Sequence, residues 1–148
     1  MMNELPPGWI IIAGALLIPL LQGIWRKAAL IGLPLLTLAA IWMMPADASL
    51  QMQLLGYQLS PLEFATVGKV FATVFAIMTL VGGIFAMRTA STFELSAAFL
   101  YAGCAIGITS TGDLISLFIY WELMALGSTA VILAAGTKAS YRAAMRYL

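Results

Sequence analysis

The feature that most constrains this chain is the run from Asp113 to Gly136, apolar and long enough to cross a bilayer yet carrying Glu122 near its middle. Hydrocarbon offers no water to satisfy backbone N–H and C=O groups, so such a run has to be helical. At 1.5 Å per residue, Glu122 lies roughly 13 Å below the helix start, within the hydrocarbon layer. A charge at that depth costs about 3 kcal/mol on insertion scales. Residues kept at such a cost face a protein interior or a wet cavity and act on protons or ions. Low-dielectric surroundings disfavour a carboxylate's charged form, a property suited to a group that exchanges protons near neutrality. The plainer reading is that Glu122 hydrogen-bonds a neighbouring helix and transports nothing.

The rest of the chain agrees with a membrane setting. Of the 148 residues, 63% are hydrophobic and 9% charged, and the mean hydropathy is +1.02, far from a soluble domain. There is no histidine, and Cys104 is the sole cysteine, which excludes an internal disulfide and any Cys/His metal site. No dinucleotide fingerprint, P-loop or serine elbow is present, and no basic aromatic-interleaved patch points to nucleic acid. No cofactor ligand set or redox centre is visible, which leaves enzymatic activity without a candidate residue. The first residues lack the positive start of a signal peptide, so the first apolar run reads as a retained helix.

Hydropathy predicts an all-α integral membrane protein, a single transmembrane domain over 1–148 with about five transmembrane helices and the start of a sixth. The spans fall at about 8–24, 28–44, 61–87, 93–108 and 113–135. Pro19 is expected to kink the first, and Arg26 and Lys27 to form the turn into the second. Pro34 is tolerable there because neighbours can re-satisfy the freed carbonyl. Ser60-Pro61-Leu62-Glu63 reads as a capping box opening the third helix, and Ser91-Thr92-Phe93-Glu94 as one opening the fourth. Glu63 and Glu94 are therefore assigned to capping, and Asp113 is a natural N-cap for the fifth. Between the second and third helices, Leu50 to Leu54 alternate strictly and Gly56 offers a turn before Tyr57, predicting a small surface hairpin.

Charge sets the expected topology. Arg26, Lys27, Arg88, Lys138, Arg142 and Arg146 fall on one side of five alternating helices, and Glu4, Asp47, Glu63 and Asp113 on the other. The positive-inside rule then puts the N-terminus outside and the region after Gly136 in the cytoplasm, in a multi-pass protein of the cell (inner) membrane. Lys69, near the outer start of the third helix, breaks the pattern. It can snorkel to the interface, or pair with a carboxylate such as Glu122 in a proton relay. In the fourth helix, Gly103 and Gly107 form a Gly-x-x-x-Gly pattern expected to pack tightly on a neighbour. In the fifth, Ala125, Gly127, Ser128 and Thr129 permit close helix approach or a few waters.

These residues carry a resemblance. The stretch from Ala97 through Gly112-Asp-Leu and the core Trp121-Glu-Leu-Met, continuing to Tyr141-Arg-Ala-Ala-Met-Arg-Tyr-Leu148, resembles the antiporter-like membrane subunits shared by Mrp-type sodium/proton antiporters and respiratory complex I. Within that family the Mrp D-type group is the nearest in pattern. The resemblance is strong over 94–148, looser over 60–90 and architectural before that. It implies translocation of protons or cations, with sodium one candidate for the coupled ion, inside a hetero-oligomeric membrane complex, in which Glu122 handles the proton. It also implies a lysine partner on a later, broken helix, which lies outside these residues. A partner subunit would supply the missing helices. Lys69 is the one lysine inside this chain that could stand in. The aspartate expected at the start of the third helix is replaced by Ala65, with Glu63 close but out of register. The chain is thus expected to be one piece of a split subunit, an N-terminal fragment, or a short non-transporting scaffold subunit of such a complex.

Overall fold

The computed structural model describes residues 5–45 and 48–147; Glu4 and Asp47, two of the acids expected on the outer side, lie outside the described residues. It is a helical bundle with one small hairpin. Helix α1 spans Pro7–Leu17, opens on a proline at its first position, and tightens into a single 3₁₀ turn over Ile18–Leu20 that holds Pro19. Helix α2 spans Gly23–Met43. The hairpin follows as strands β1 (Ser49–Leu54) and β2 (Tyr57–Glu63), then α3 (Thr66–Ala86), α4 (Thr92–Thr109), α5 (Leu114–Ala134) and α6 (Lys138–Tyr147). Four of these helices, α2 to α5, are long and apolar enough to cross a membrane, and Pro7–Leu20 is a shorter apolar segment. The expectation of about five spans and a surface hairpin is met, with the first span the shortest.

Helix α4 is the centre of the bundle and packs against α1, α3 and α5. Small residues make this geometry available. A Cβ on Gly8 of α1 would come within 2.5 Å of the Gly103 carbonyl oxygen, and one on Gly107 within 2.5 Å of the Tyr120 ring of α5. The two glycines of the α4 pattern therefore serve two neighbours at once, with α1 lying across both and Tyr120 filling the space beside Gly107. Two turns farther along the same seam, Gly127 of α5 brings that helix against the Ala97 and Tyr101 backbone, where an added Cβ would stand 3.0 Å from the Tyr101 nitrogen. Close approach of backbones is how membrane helices gain packing energy without a hydrophobic driving force.

Two boundaries differ from expectation. Arg26 and Lys27 are not the turn between the first helices; they lie in the first turn of α2, and the chain reverses at Leu21–Gln22. Gly23 takes a positive φ of 55° there, which glycine adopts without steric cost. The second correction concerns Ser60 to Glu63, which are not a capping box: they are the end of β2, and α3 starts at Thr66 with no side-chain cap. The strand persists because its backbone has partners on both edges. Glu63 N–H donates to Ser110 O at 2.6 Å, Gly112 N–H donates to Ser60 O at 2.9 Å, and Phe64 N–H donates to Ala48 O at 3.3 Å. Pro61 fits where the register slips between Leu50 and Met52, so that no ladder donor is lost. The turn itself has positive φ at Leu55 and Gly56, the mirror-image turn that two-residue hairpins prefer.

Pro34 sits inside an unbroken α2. The Leu30 carbonyl, which Pro34 cannot bond, faces Gly83 of α3, where a Cβ would approach the oxygen to 3.2 Å. The absent side chain gives that carbonyl room.

Candidate functional site

Helix α5 presents two unlike faces. Toward α4 and α1 are Ser116, Tyr120 and Gly127, all buried; Thr129 is buried too, but it lies seven residues on from Glu122 and on the same side of the helix. Tyr120 is 5% exposed and its hydroxyl accepts a hydrogen bond from the Trp9 indole N–H of α1 at 2.7 Å. Sequence reading singled out neither residue of this pair. Its only signal is Gly107, the glycine whose missing side chain admits the Tyr120 ring. Below it, Ser128 and Thr129 return their hydroxyls to the Ala125 carbonyl at 2.9 and 2.8 Å. Their side chains are thereby spent within the helix, and Gly127 is the member of the small-residue stretch that brings α4 close.

Glu122 points the other way. It is exposed at the surface of the chain, beside exposed Phe118, Trp121 and Leu126. Helix α5 is 21 residues long, about 30 Å at 1.5 Å per residue, and Glu122 lies between two and three turns from its N-terminus. A carboxylate thus stands at membrane depth on a face that the chain's own helices leave uncovered.

The helix start is held firmly. Asp113 Oδ1 accepts from the N–H groups of Ile115 and Ser116, each at 2.9 Å, as an N-cap should. Its Oδ2 accepts from Ser60 N–H of β2 at 2.6 Å. Burial pushes this carboxyl's pKa up, but the hydrogen bonds from Ser116, Ser60 and Ile115 outweigh it and hold the group below the ordinary value of 3.8. Thr111 adds a hydroxyl bond to Ser60 O at 3.1 Å. The hairpin and the α4–α5 turn are therefore one unit at this end of the bundle, and it fixes where α5 begins. Glu63 lies against Gly112 in the same unit. The cap expected at Ser91 is present, with its hydroxyl accepting from Glu94 N–H at 3.2 Å.

Lys69 is half-buried in the first turn of α3. Its ammonium donates to Met44 O at 3.0 Å, the residue that ends α2, and stands 5.7 Å from the centre of the Trp42 ring. A cation at a helix C-terminus meets the negative end of the helix dipole, and the ring face adds a cation–π attraction. Lys69 and Glu122 are on helices that flank α4, and the lysine's hydrogen bond goes to α2. At the opposite end of the bundle Arg26 donates to the Thr92 hydroxyl, joining the starts of α2 and α4 on the basic side. Cys104 is buried in α4 and not in a disulfide, and among the described residues no cluster of acid, cysteine or histidine side chains could hold a metal.

Comparison with known proteins agrees with this membrane architecture. Over 104 residues the chain is 33% identical to the D-type subunit of the Na(+)/H(+) antiporter of Alkalihalophilus pseudofirmus. The chain is similar to a sodium/proton antiporter subunit. The match covers 64% of this chain and 21% of that protein, so the chain spans about a fifth of the relative's length. No protein-family profile and no solved structure matches it.

Proposed function

We propose that this chain forms part of a proton- or cation-translocating, antiporter-type membrane subunit working in a multi-subunit complex of the Mrp or complex I kind. The observation that carries the reading is Glu122, exposed on the uncovered face of α5 at membrane depth. Lipid against that carboxylate would be costly, so the natural occupant of the face is protein. A helix bearing a cation at the same depth would favour the charged form of Glu122, and its withdrawal the neutral one, which is how a membrane acid loads and unloads a proton. The similarity to a sodium/proton antiporter of D type supports the same reading. Lys69 is the cation within the chain for this part. Its bond to Met44 O makes a lysine from the covering helix the better candidate. The basic turns at one end of the bundle support a cytoplasmic assignment for that end, with the hairpin outside.

Glu122→Gln tests the proposal, because it preserves size and most hydrogen bonding while removing the titratable group. The complex should assemble normally while proton flux, measured in vesicles holding matched amounts of assembled complex, falls sharply. Glu122→Asp should keep partial flux. In a scaffold subunit the Gln variant would be silent and only Glu122→Ala would weaken assembly. Wild-type flux from Glu122→Gln removes the residue from the mechanism.

A further inference from the structure

The strongest patch that proton transfer leaves unused lies at the basic end of the bundle. Six of the seven basic residues gather there, namely Arg26, Lys27, Arg88, Lys138, Arg142 and Arg146. The fold brings them together: Arg26 bonds to Thr92 between the starts of α2 and α4, and α5 runs back along α4 so that its last turn ends beside them. Helix α6 concentrates half of this charge. Lys138, Arg142 and Arg146 recur every fourth residue, so they form one stripe along α6, and all three are exposed. Ala144 is fully buried and lies on the side of the helix away from the stripe, so the cations face outward from the bundle. Glu94, in the first turn of α4, is an acid at this end, and α6 itself carries none.

We propose that the outward face of α6 binds the anionic headgroups of phospholipids in the leaflet at this end of the bundle. The position and composition of α6 point to lipid rather than to an acidic protein partner. The helix begins only a short turn beyond the end of the apolar α5, with Gly136 in a positive-φ conformation redirecting the chain and Thr137 and Ser140 exchanging hydrogen bonds at its start. Exposed Tyr141 and Met145 flank the stripe, giving the ring and thioether an interfacial depth while the cations reach the phosphodiesters. The three cations beyond α5, together with Arg26, Lys27 and Arg88 at the same end, make a juxtamembrane cluster of the kind that draws anionic lipid. This surface stands whether or not Glu122 moves protons.

The test uses the full chain reconstituted in phosphatidylcholine membranes with a trace of spin-labelled lipid. The immobilised fraction of spin-labelled phosphatidylglycerol should exceed that of spin-labelled phosphatidylcholine by about fivefold, the factor for one headgroup against one cation. Raising salt should reduce the preference. The triple variant Lys138→Gln, Arg142→Gln, Arg146→Gln should bring it close to unity. The charge-keeping variant Lys138→Arg, Arg142→Lys, Arg146→Lys should retain it, which separates loss of charge from loss of fold. Equal association of the two lipids with the wild-type chain overturns the proposal, as does a preference that survives in the Gln variant. Saturable binding of a polyglutamate peptide without lipid preference would assign the stripe to a protein partner and also overturn it.

Discussion

Asp113 is the residue whose removal should be felt furthest from its own position, because one carboxylate caps α5 and ties it to the hairpin. In Asp113→Ala the N–H groups of Ile115 and Ser116 lose their acceptor, a loss worth about 1 kcal/mol for an N-cap. The Ser60 N–H loses a charge-assisted bond of 2.6 Å. Ser60 is half-buried, so water replaces part of that bond and the cost stays near the lower end, about 1 kcal/mol. The sum is about 2 kcal/mol. Asp113→Asn separates the two parts. Asparagine caps nearly as well as aspartate, but its one carbonyl oxygen cannot serve both sides. With the oxygen on the α5 amides, its NH₂ faces the Ser60 N–H, donor to donor. This variant should therefore lose only about half as much.

The wild-type contribution also carries a pH signature. The Asp113 pKa is lowered in the fold, so its stabilisation is fully present above the ordinary value of 3.8 and is lost as pH falls through the lower folded value. Denaturant titration in detergent micelles, followed by circular dichroism, should give constant gaps between wild type and Asp113→Ala at neutral pH, narrowing below that value. Amide exchange at Ser60, Ile115 and Ser116 should quicken in the same variant. An Ala variant within a few tenths of a kcal/mol of wild type would refute the tie. So would equal losses in Asn and Ala, or a gap that does not close in acid.

Gly107→Ala should destabilise by about 1–3 kcal/mol through overpacking against Tyr120, with the Trp9 indole N–H losing its exchange protection; a silent substitution would mean that the α4–α5 contact is loose. Lys69→Met should cost about 1 kcal/mol and shift Trp42 emission as α2 loses its terminal cation, and unchanged stability would dismiss the anchor role. Single cysteines at Gln53 in the hairpin and at Arg142 in α6 should be labelled from opposite sides of a sealed vesicle. Labelling of both from one side would overturn the sidedness of the bundle.

What could be read from the sequence was whatever depends on local pattern. The apolar runs locate α2 to α5, Leu50 to Tyr57 give the hairpin, and Asp113 and Ser91 announce their helices, because each signal is complete within a few residues. The errors lie where a distant segment decides. Ser60 to Glu63 carry a plausible helix start, but Ser110 and Gly112, about fifty residues on, supply strand partners and extend β2 instead. Likewise the turn before α2 rests on the positive φ at Gly23, which left Arg26 and Lys27 free to be helical. The Trp9–Tyr120 bond joins residues with a separation of 111, beyond the reach of any periodicity.

The same contrast bears on Glu122. Its depth follows from counting residues along one helix, but the face it occupies follows from what the rest of the bundle does. Gly103, Gly107 and Gly127 draw α1, α4 and α5 into close contact on the side of Tyr120. That packing turns the acid outward, because residues 120 and 122 differ by about 200° around a helix. A tighter internal seam and a more exposed carboxylate are thus one consequence of the same small residues. Enlarging Gly107 or Gly127 should loosen α5 and alter how Glu122 meets whatever covers it.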